Sequence, residues 1–411
     1  MSDFNITVPG GESKRLKTAG KYCPADIVVT AEGGGGFTPP EDEVLTPELV
    51  YKTTRPASWL KMPTPTDYEC YCLGHIFPGT TGYFNATITF TGTCVVEFGS
   101  VVDGVFVAKE SYSPTSGTFF SKAIQYNNYG DELADGTRQY MVRIYGTIIY
   151  TLNFCRLDTS FPSASIVDIV CGIALDRCTV GNYNRDVSSL DSLKYLNFVG
   201  KGKPGWINGD AFIGGCHGII SVGCEAENTS DWASYACAFS EALLAVSPNI
   251  FAGVKKSISF AFRNAKIVDT KLGNIQPTST EVTFGWSALR KFSAETLDTS
   301  LSEIMSDMFN GCRSLQSVTD LNMSSATNVG NMFVGCYTLA RLTFAGDTTP
   351  GGYTINLTHT SLDHDALVSM IASLPTATAA ATITITGVPG ASALTDAEIA
   401  VATAKNWTIT R

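Results

Sequence analysis

The sequence is poor in charge, poor in histidine and without a long apolar segment. Charged residues make up 16% of its 411 positions, against about a quarter in typical globular proteins. Four histidines limit the acid–base and metal chemistry open to the chain. The longest apolar stretch, SIVDIVCGIAL from Ser165, is interrupted by Asp168 and is far shorter than the ~20 residues of a membrane helix. We therefore expect no membrane insertion.

Short catalytic motifs are also missing. No G-x-S-x-G, H-E-x-x-H, P-loop or G-x-G-x-x-G pattern stands in a suitable context. One group of potential metal ligands, HTSLDHDAL from His359, falls at the start of a predicted helix, where carboxylates cap free amides. We expect no enzyme activity, metal or cofactor, but a carboxylate pair for glycan cleavage is a spatial feature that a sequence does not display.

The charge balance argues against nucleic acid as a partner. The net charge is −10 and the isoelectric point is near 4.9, so the chain as a whole repels a phosphate backbone. The longest basic cluster is SKRLK, from Ser13 to Lys17. The first residues, MSDFNITVPGG, have no basic flank followed by an apolar stretch, so we expect synthesis in the cytoplasm without a secretory signal.

The twelve cysteines show no C-x-x-C pair. Cys70 and Cys72 share one face of a predicted strand, with no second Cys or His pair nearby to complete a zinc site. In a reducing compartment we expect free thiols that pack in the core.

Composition divides the first part of the chain. Residues 1–35 hold two short β-prone runs that bury too little to stand alone, so we expect an attachment segment that folds against a partner. Residues 36–49 combine glycine, a proline pair and acids, which is typical of a linker. Over 50–187, apolar alternation with period two and the hairpin dipeptide Asp103-Gly104 predict an antiparallel β-sandwich.

A near-duplication follows. DMFNGCRSLQSV begins at Asp307 and NMFVGCYTLARL begins at Asn331, 24 residues later. The recurring residues are of the buried type; they are Phe309, Cys312, Leu315, Phe333, Cys336 and Leu339. Weaker copies place the Cys position at 216, 242, 265 and Trp286. A period of 20 to 29 residues with fixed apolar positions predicts a leucine-rich-repeat solenoid over 188–346, and the six recurring residues form its core.

Residues 347–411 alternate strand and helix patterns, which predicts an α/β region capping the solenoid. Asp363 is the expected N-cap of one helix, and Thr395 or Asp396 of the other. The predicted fold class is therefore mainly β with α/β repeats: an N-terminal attachment segment, an antiparallel sandwich, a solenoid and a cap.

The M-F-x-G-C-x-x-L repeats resemble the BspA-like leucine-rich repeats of bacterial and phage surface proteins, over about 190 to 346. ITVPGGESKRLKTAGKYCPADIVVTAEG and YKTTRPASWLKMPTP resemble segments at the front of tail or baseplate proteins of phages that infect Gram-positive bacteria. The combination implies a virion structural protein of the tail, made in the host cytoplasm. It implies docking on other tail or baseplate proteins through the N-terminal segment, a homotrimer, and recognition of a host-surface glycan or protein. No catalytic residue carries over from either resemblance.

Variable positions of the repeats are the candidate contacts, with aromatic residues and arginines first because they dominate binding hot spots. The candidates are Trp286, Arg290, Arg313, Tyr337 and Arg341, with Asp231 and Trp232 on an earlier turn. Each is also compatible with an ordinary surface position. An architectural or decorating virion protein without receptor binding, and a bacterial surface adhesin with the same repeats, are the alternative functions.

Overall fold

The computed structural model describes residues 5–7, 13–15, 45–130, 132–154, 165–173, 178–179, 192–199, 218–225, 242–252, 254, 256–273 and 275–411. Strands account for 37% of the structure and helices for 12%. This confirms the predicted mainly-β class. The predicted hairpin is also present, because Asp103 and Gly104 adopt the positive φ angles of 51° and 80° that a type I′ turn needs.

Helix α1 begins inside the segment predicted to be a linker. The first elements are β1 (Asn5–Thr7) and β2 (Ser13–Arg15), which pair with each other antiparallel, and α1 (Pro47–Thr54). The Thr46 hydroxyl accepts a hydrogen bond from the Leu49 amide, and Pro47 occupies the first helical turn, where its missing N–H costs nothing. These capping residues fix where the helix starts.

One ten-stranded sheet runs from β3 to β12. Its strands are β3 (Glu69–Ile76), β4 (Thr81–Val102), β5 (Val105–Tyr112), β6 (Phe119–Gln125), β7 (Arg138–Asn153), β8 (Ser165–Cys171), β9 (Cys178–Thr179), β10 (Tyr195–Phe198), β11 (Ser221–Cys224) and β12 (Ala245–Val246). β3 to β7 pair antiparallel, whereas β8, β10, β11 and β12 pair parallel in that order. The sheet therefore continues across the boundary predicted at 187/188, through the pairing of β8 with β10.

The long strand β4 turns a corner and contributes to two layers. The rings of Phe84 and Phe98 are 5.6 Å apart, edge to face, although 14 residues of straight strand would separate them by about 46 Å. The register shifts between Thr91 and Cys94, and Gly92 between them has a φ of +83°. The halves of β4 before and after Gly92 therefore face each other, with the buried phenylalanines between them.

A buried ion pair fixes α1 and the residue after it to the sheet. The Asp168 carboxylate, fully buried on β8, accepts hydrogen bonds from Arg55 Nε at 2.7 Å and from the Tyr51 hydroxyl at 3.0 Å. Burial raises the pKa of Asp168, while the Arg55 guanidinium opposes that shift. The Ser221 hydroxyl on β11 donates to the Pro47 carbonyl at 3.1 Å. Helix α1 thus contacts strands from both sides of the predicted boundary.

Residues 256–345, called here the stacked turns, repeat one path through space. Their strands are β13 (Lys291–Phe292), β14 (Ser317–Asn322) and β15 (Arg341–Ala345), which pair parallel. Parallel bridges link Ser257, Ser279, Ile304 and Asn328 in the same order on another side of each turn. Four phenyl rings stack inside, those of Phe262, Phe284, Phe309 and Phe333, with centroids 5.5, 6.0 and 5.6 Å apart and planes within 14° of parallel. Each turn therefore follows the same backbone path as the turn before it.

The C-terminal region ends the stack with a mixed α/β unit. Its elements are β16 (Thr348–Gly351), β17 (Thr354–Asn356), α2 (His364–Ser373), β18 (Thr376–Ala379), β19 (Ala381–Thr384), α3 (Asp396–Ala404) and β20 (Trp407–Thr410). Asp363 caps α2 and Thr395 caps α3, the latter in a reciprocal pair with Glu398, so both predicted helix starts are confirmed. Helix α2 packs against β15, and the Ser361 amide donates to the Leu339 carbonyl at 2.9 Å.

Removing the partner of Asp168 should destabilise the fold. Arg55→Met leaves a buried carboxylate without its cation, and we expect a loss of about 3–5 kcal/mol in the free energy of unfolding. Denaturant unfolding, followed by tryptophan fluorescence, measures the loss. The double variant Arg55→Met/Asp168→Leu should recover most of it, because an apolar pair of similar volume replaces an ion pair at little cost. Lys52→Met, an exposed position on the same helix, is the control, and an equal loss there would contradict the assignment.

Loss of one ring from the phenyl stack should lower the free energy of unfolding by a similar amount. Phe309→Ala removes a fully buried ring that contacts both Phe284 and Phe333, and we expect a loss of about 3–5 kcal/mol. Val334→Ala, an exposed position on the following turn, should change stability by less than about 0.5 kcal/mol. Chemical denaturation of both variants measures the difference, and similar values for the two would show that the stack does not hold the turns.

Candidate functional site

Four segments of the stacked turns line up on one side of the molecule. They are 263–268, 285–291, 310–317 and 334–341, and together they are called the basic face. Backbone hydrogen bonds join each to the next: Asn264 N to Gly285 O at 2.9 Å, Trp286 N to Asn310 O at 2.7 Å, and Gly311 N to Val334 O at 2.7 Å. Residues at equivalent positions in successive turns are therefore neighbours in space.

The basic face carries positive charge only. Its charged residues are Arg263, Lys266, Arg290, Lys291, Arg313 and Arg341, and no Asp or Glu occurs in the four segments. Since the whole chain has a net charge of −10, the remaining residues carry −10 − 6 = −16. Acids border the face at Asp269, Asp307 and Asp320. The basic face is thus a local positive potential on an acidic protein.

The four arginines of this face have no carboxylate partner among the described residues. Ion pairs found in the described ranges involve other cations, such as Lys271 with Glu295 at 2.7 Å. Arg290, Arg313 and Arg341 are exposed, as is Arg263. The guanidinium of Arg263 lies over the Trp286 ring, 5.1 Å from its centroid. An unpaired guanidinium keeps its forked donors available for a phosphate or a carboxylate.

Trp286 does not lie where the sequence comparison placed it. The repeat alignment equated Trp286 with Cys312, but the Cys312 thiol donates to the Phe284 carbonyl at 2.9 Å and lies 3.6 Å from the Ser287 hydroxyl. Ser287 therefore takes the cysteine position and Trp286 takes that of Gly311. Between Ser287 and Leu289 this turn has one residue fewer than the next turn has between Cys312 and Leu315. From Leu289 onward the predicted alignment is correct, as the pairing of Lys291 with Ser317 shows.

A tryptophan consequently occupies a backbone position that suits glycine. Gly311 and Gly335 have φ angles of +73° and +80° at this place, and Trp286 has +56°. The left-handed region costs a non-glycine residue about 1–2 kcal/mol. The indole packs between the Arg263 guanidinium and the backbone of Gly311, where an added Cβ would overlap its pyrrole ring. Trp286 is thereby held in place with 40% of its surface exposed.

The other described candidates lie on the same face, in two groups. Arg313 and Tyr337 follow the buried cysteines of consecutive turns, and Thr338 Oγ1 donates to the Arg313 carbonyl at 2.8 Å. Tyr337 is 52% exposed. Arg290 directly precedes β13, and Arg341 is the first residue of β15, two strands away, which corresponds to about 10 Å. Asp231 and Trp232, the candidates on an earlier turn, lie outside the described residues.

The six recurring apolar residues are all buried: Phe309, Cys312, Leu315, Phe333, Cys336 and Leu339. The Cys336 thiol donates to the Phe309 carbonyl at 3.1 Å, just as Cys312 does to Phe284 one turn earlier. Burial raises the pKa of Cys312 to about 12. These thiols are hydrogen-bond donors inside the stack and are not available to a ligand.

No protein family, curated protein or solved structure matches this chain. Its site is therefore interpreted from its own residues. Within the described ranges no three His, Cys, Asp or Glu side chains come together to hold a metal ion, and no helix is long and apolar enough to span a membrane. At HTSLDHDAL, Asp363 accepts from the Ala366 amide and His364 contacts Asp365 and Glu398. Hydrogen bonding to Asp365 raises the pKa of His364.

Sequence reasoning missed Arg263, Lys266 and Lys291 as members of this face. The available signal is that the four aligned segments contain cations and no acids. The predicted repeat depends on recurring Phe, Cys and Leu positions, which are apolar and carry no information about charge.

A methyl group at Gly311 should displace the indole. Gly311→Ala adds both a left-handed alanine and an overlap with Trp286, so we expect more destabilisation than the ~1–2 kcal/mol of the backbone effect. Gly79→Ala is a matched control, since Gly79 has a similar φ of +70° and its added Cβ meets nothing within 4 Å. Near-ultraviolet circular dichroism should change in Gly311→Ala only. An unchanged tryptophan signal there would refute the packing of Trp286 on Gly311.

Proposed function

We propose that this chain is a phage virion structural protein of the tail tip, fibre or baseplate, and that its basic face binds an anionic glycan on the host surface. The observation that carries the proposal is a group of four arginines beside Trp286 and Tyr337, which have no carboxylate partner in the part of the chain that the structure describes. The four segments that carry them contain no acids. The role is one of binding rather than catalysis. The residues proposed to contact the glycan are Arg263, Trp286, Arg290, Arg313, Tyr337 and Arg341.

The proposal includes the finer architecture. We infer that 188–346 is a leucine-rich-repeat solenoid, supported by the parallel pairing of β13 to β15 and by the stacked phenyl rings. Residues 1–35 are proposed to dock on other tail or baseplate proteins, with 36–49 as the connection, 50–187 as a sandwich and 347–411 as the cap.

An anionic glycan suits the chemistry of the face better than a neutral one or a protein. Guanidinium groups recognise phosphate and carboxylate in a two-pronged geometry, while aromatic side chains offer apolar surface to sugar rings. Adjacent turns lie about 4.8 Å apart along the stack, and each of the four segments carries one arginine. A linear polymer with regularly spaced negative charges can therefore contact several turns at once, and the acidic surroundings disfavour other orientations.

An architectural role is the second candidate, and one observation favours it. Val102, Val105 and Val107 at the tip of the β4–β5 hairpin are 56%, 65% and 47% exposed. Apolar side chains grouped at an exposed tip suit contact with another subunit. If such contacts also covered the basic face in the particle, recognition of a host would be excluded.

Charge removal on the basic face tests the proposal. The triple variant Arg263→Gln/Arg313→Gln/Arg341→Gln should bind purified Gram-positive cell walls about tenfold or more weakly than the full wild-type chain, a loss of about 1.4 kcal/mol or more. A matched control, Lys52→Gln/Lys61→Gln/Lys271→Gln, removes three exposed cations outside the face and should bind like the wild type. Sedimentation of a panel of cell walls with labelled protein measures both.

The chemistry of the wall and the salt concentration supply further outcomes. Binding should weaken as the salt concentration rises. Walls from which acid has removed the phosphate polymers should no longer bind the protein. Binding that survives this stripping but is lost after protease treatment of the walls would indicate a protein receptor. Equal binding by the two triple variants, or no binding to any wall of the panel, would overturn the role of the basic face.

A further inference from the structure

In the part of the chain that the structure describes, the hairpin of β4 and β5 ends the large sheet with an open edge. β5 is last in the strand order, and among the described strands it pairs only with β4. An open edge presents backbone donors and acceptors to any strand that approaches it. Here the outermost residues are also apolar and exposed, since Val105 is 65% and Val107 is 47% exposed. Charged side chains often protect exposed edge strands from pairing. In β5 the first charged side chain is that of Lys109.

The register of the hairpin determines which backbone N–H and C=O groups of β5 point to the open edge. Val102 pairs with Val105 across the two-residue turn, so the N–H and C=O of Val105 face β4. Backbone groups alternate along a strand, and those of Phe106 therefore point to the open edge. The groups of Val107 point inward again, and those of Ala108 outward. A bulge at Phe98 and Gly99 interrupts the pattern beyond Ala108.

We propose that β5 pairs antiparallel with β5 of a second copy of this chain, about a twofold axis centred on Phe106. In this register each Phe106 exchanges two backbone hydrogen bonds with its counterpart, and Gly104 pairs with Ala108. Val105 then lies opposite Val107, and Asp103 lies opposite Lys109 of the other copy. The apolar residues meet apolar residues, and the two charges of opposite sign meet each other.

The other possible centres are less favourable. A twofold axis perpendicular to the sheet passes through a residue that lies opposite its own copy, in a hydrogen-bonded pair at Phe106 or Ala108 and in a non-hydrogen-bonded pair at Val105 or Val107. Centring on Ala108 puts Lys109 opposite Val107, and centring on Val107 puts Lys109 opposite Val105. Centring on Val105 puts Asp103 opposite Val107. Charge complementarity therefore selects Phe106.

The other face of the hairpin is already occupied, which fixes the orientation of the new pair. The Phe106 ring contacts the Tyr71 ring at 5.9 Å and packs with the smaller apolar cluster that includes Leu73 and Met141. Val105 and Val107 are consequently held on the open face. The strand has eight residues, so the interface is small and the dimer should form in the micromolar range. This inference does not depend on the proposed function.

Sedimentation equilibrium of the full chain tests the association. We expect a monomer–dimer equilibrium in the wild type, and at least a tenfold weaker one in Val105→Lys, which places a charge opposite Val107. Val401→Lys makes the same change at an exposed valine of α3 and should leave the equilibrium unchanged. A monomer at all concentrations, or a trimer insensitive to Val105→Lys, would overturn the proposal.

Cross-linking tests the register. Val105→Cys chains mixed with Val107→Cys chains should form a covalent dimer when oxidised glutathione is added, because these two positions lie directly opposite and within disulfide reach. Val105→Cys mixed with Val401→Cys should not. Circular dichroism of each variant verifies that it is folded. Equal yields from the two mixtures would rule out the pairing centred on Phe106.

Discussion

The contact between successive phenyl rings sets the geometry on which the rest of the stacked turns depends. Ring centroids 5.5 to 6.0 Å apart, with planes nearly parallel, impose a similar rise on every turn. Parallel backbone hydrogen bonds on two further sides of each turn then follow from that spacing. Because every inner position is used in this way, only the outer positions are left to carry a ligand. The arginines of the basic face occupy such positions.

A second constraint connects the two halves of the chain. The Arg55–Asp168 pair joins the segment after α1 to β8, and β8 pairs directly with β10, the first described strand of the region predicted to be repeats. A charge buried so completely is stable only with its partner in place. The last residue of α1 also contacts the parallel part of the sheet, because the Thr54 and Tyr195 hydroxyls are 3.0 Å apart.

The sequence predicted those features that repeat or that act locally. The class, the Asp103-Gly104 hairpin and the caps Asp363 and Thr395 depend on neighbouring residues, and all are confirmed. The position of Trp286 was wrong because one residue is missing from its turn, and a periodic pattern does not reveal which residue that is. The partner of Asp168 lies 113 positions away, and no periodicity connects it with Arg55. The lack of carboxylate partners for the four arginines among the described residues has the same origin, since it depends on carboxylates that are distant in the sequence.

The corner in β4 has a consequence for how the N-terminal half unfolds. A strand shared by two facing layers cannot leave one of them without withdrawing the phenylalanine that fills the other, Phe84 or Phe98. Neither layer can then open as a separate cooperative unit, and backbone amides on both sides of Gly92 are protected from solvent deuterium by the same opening event.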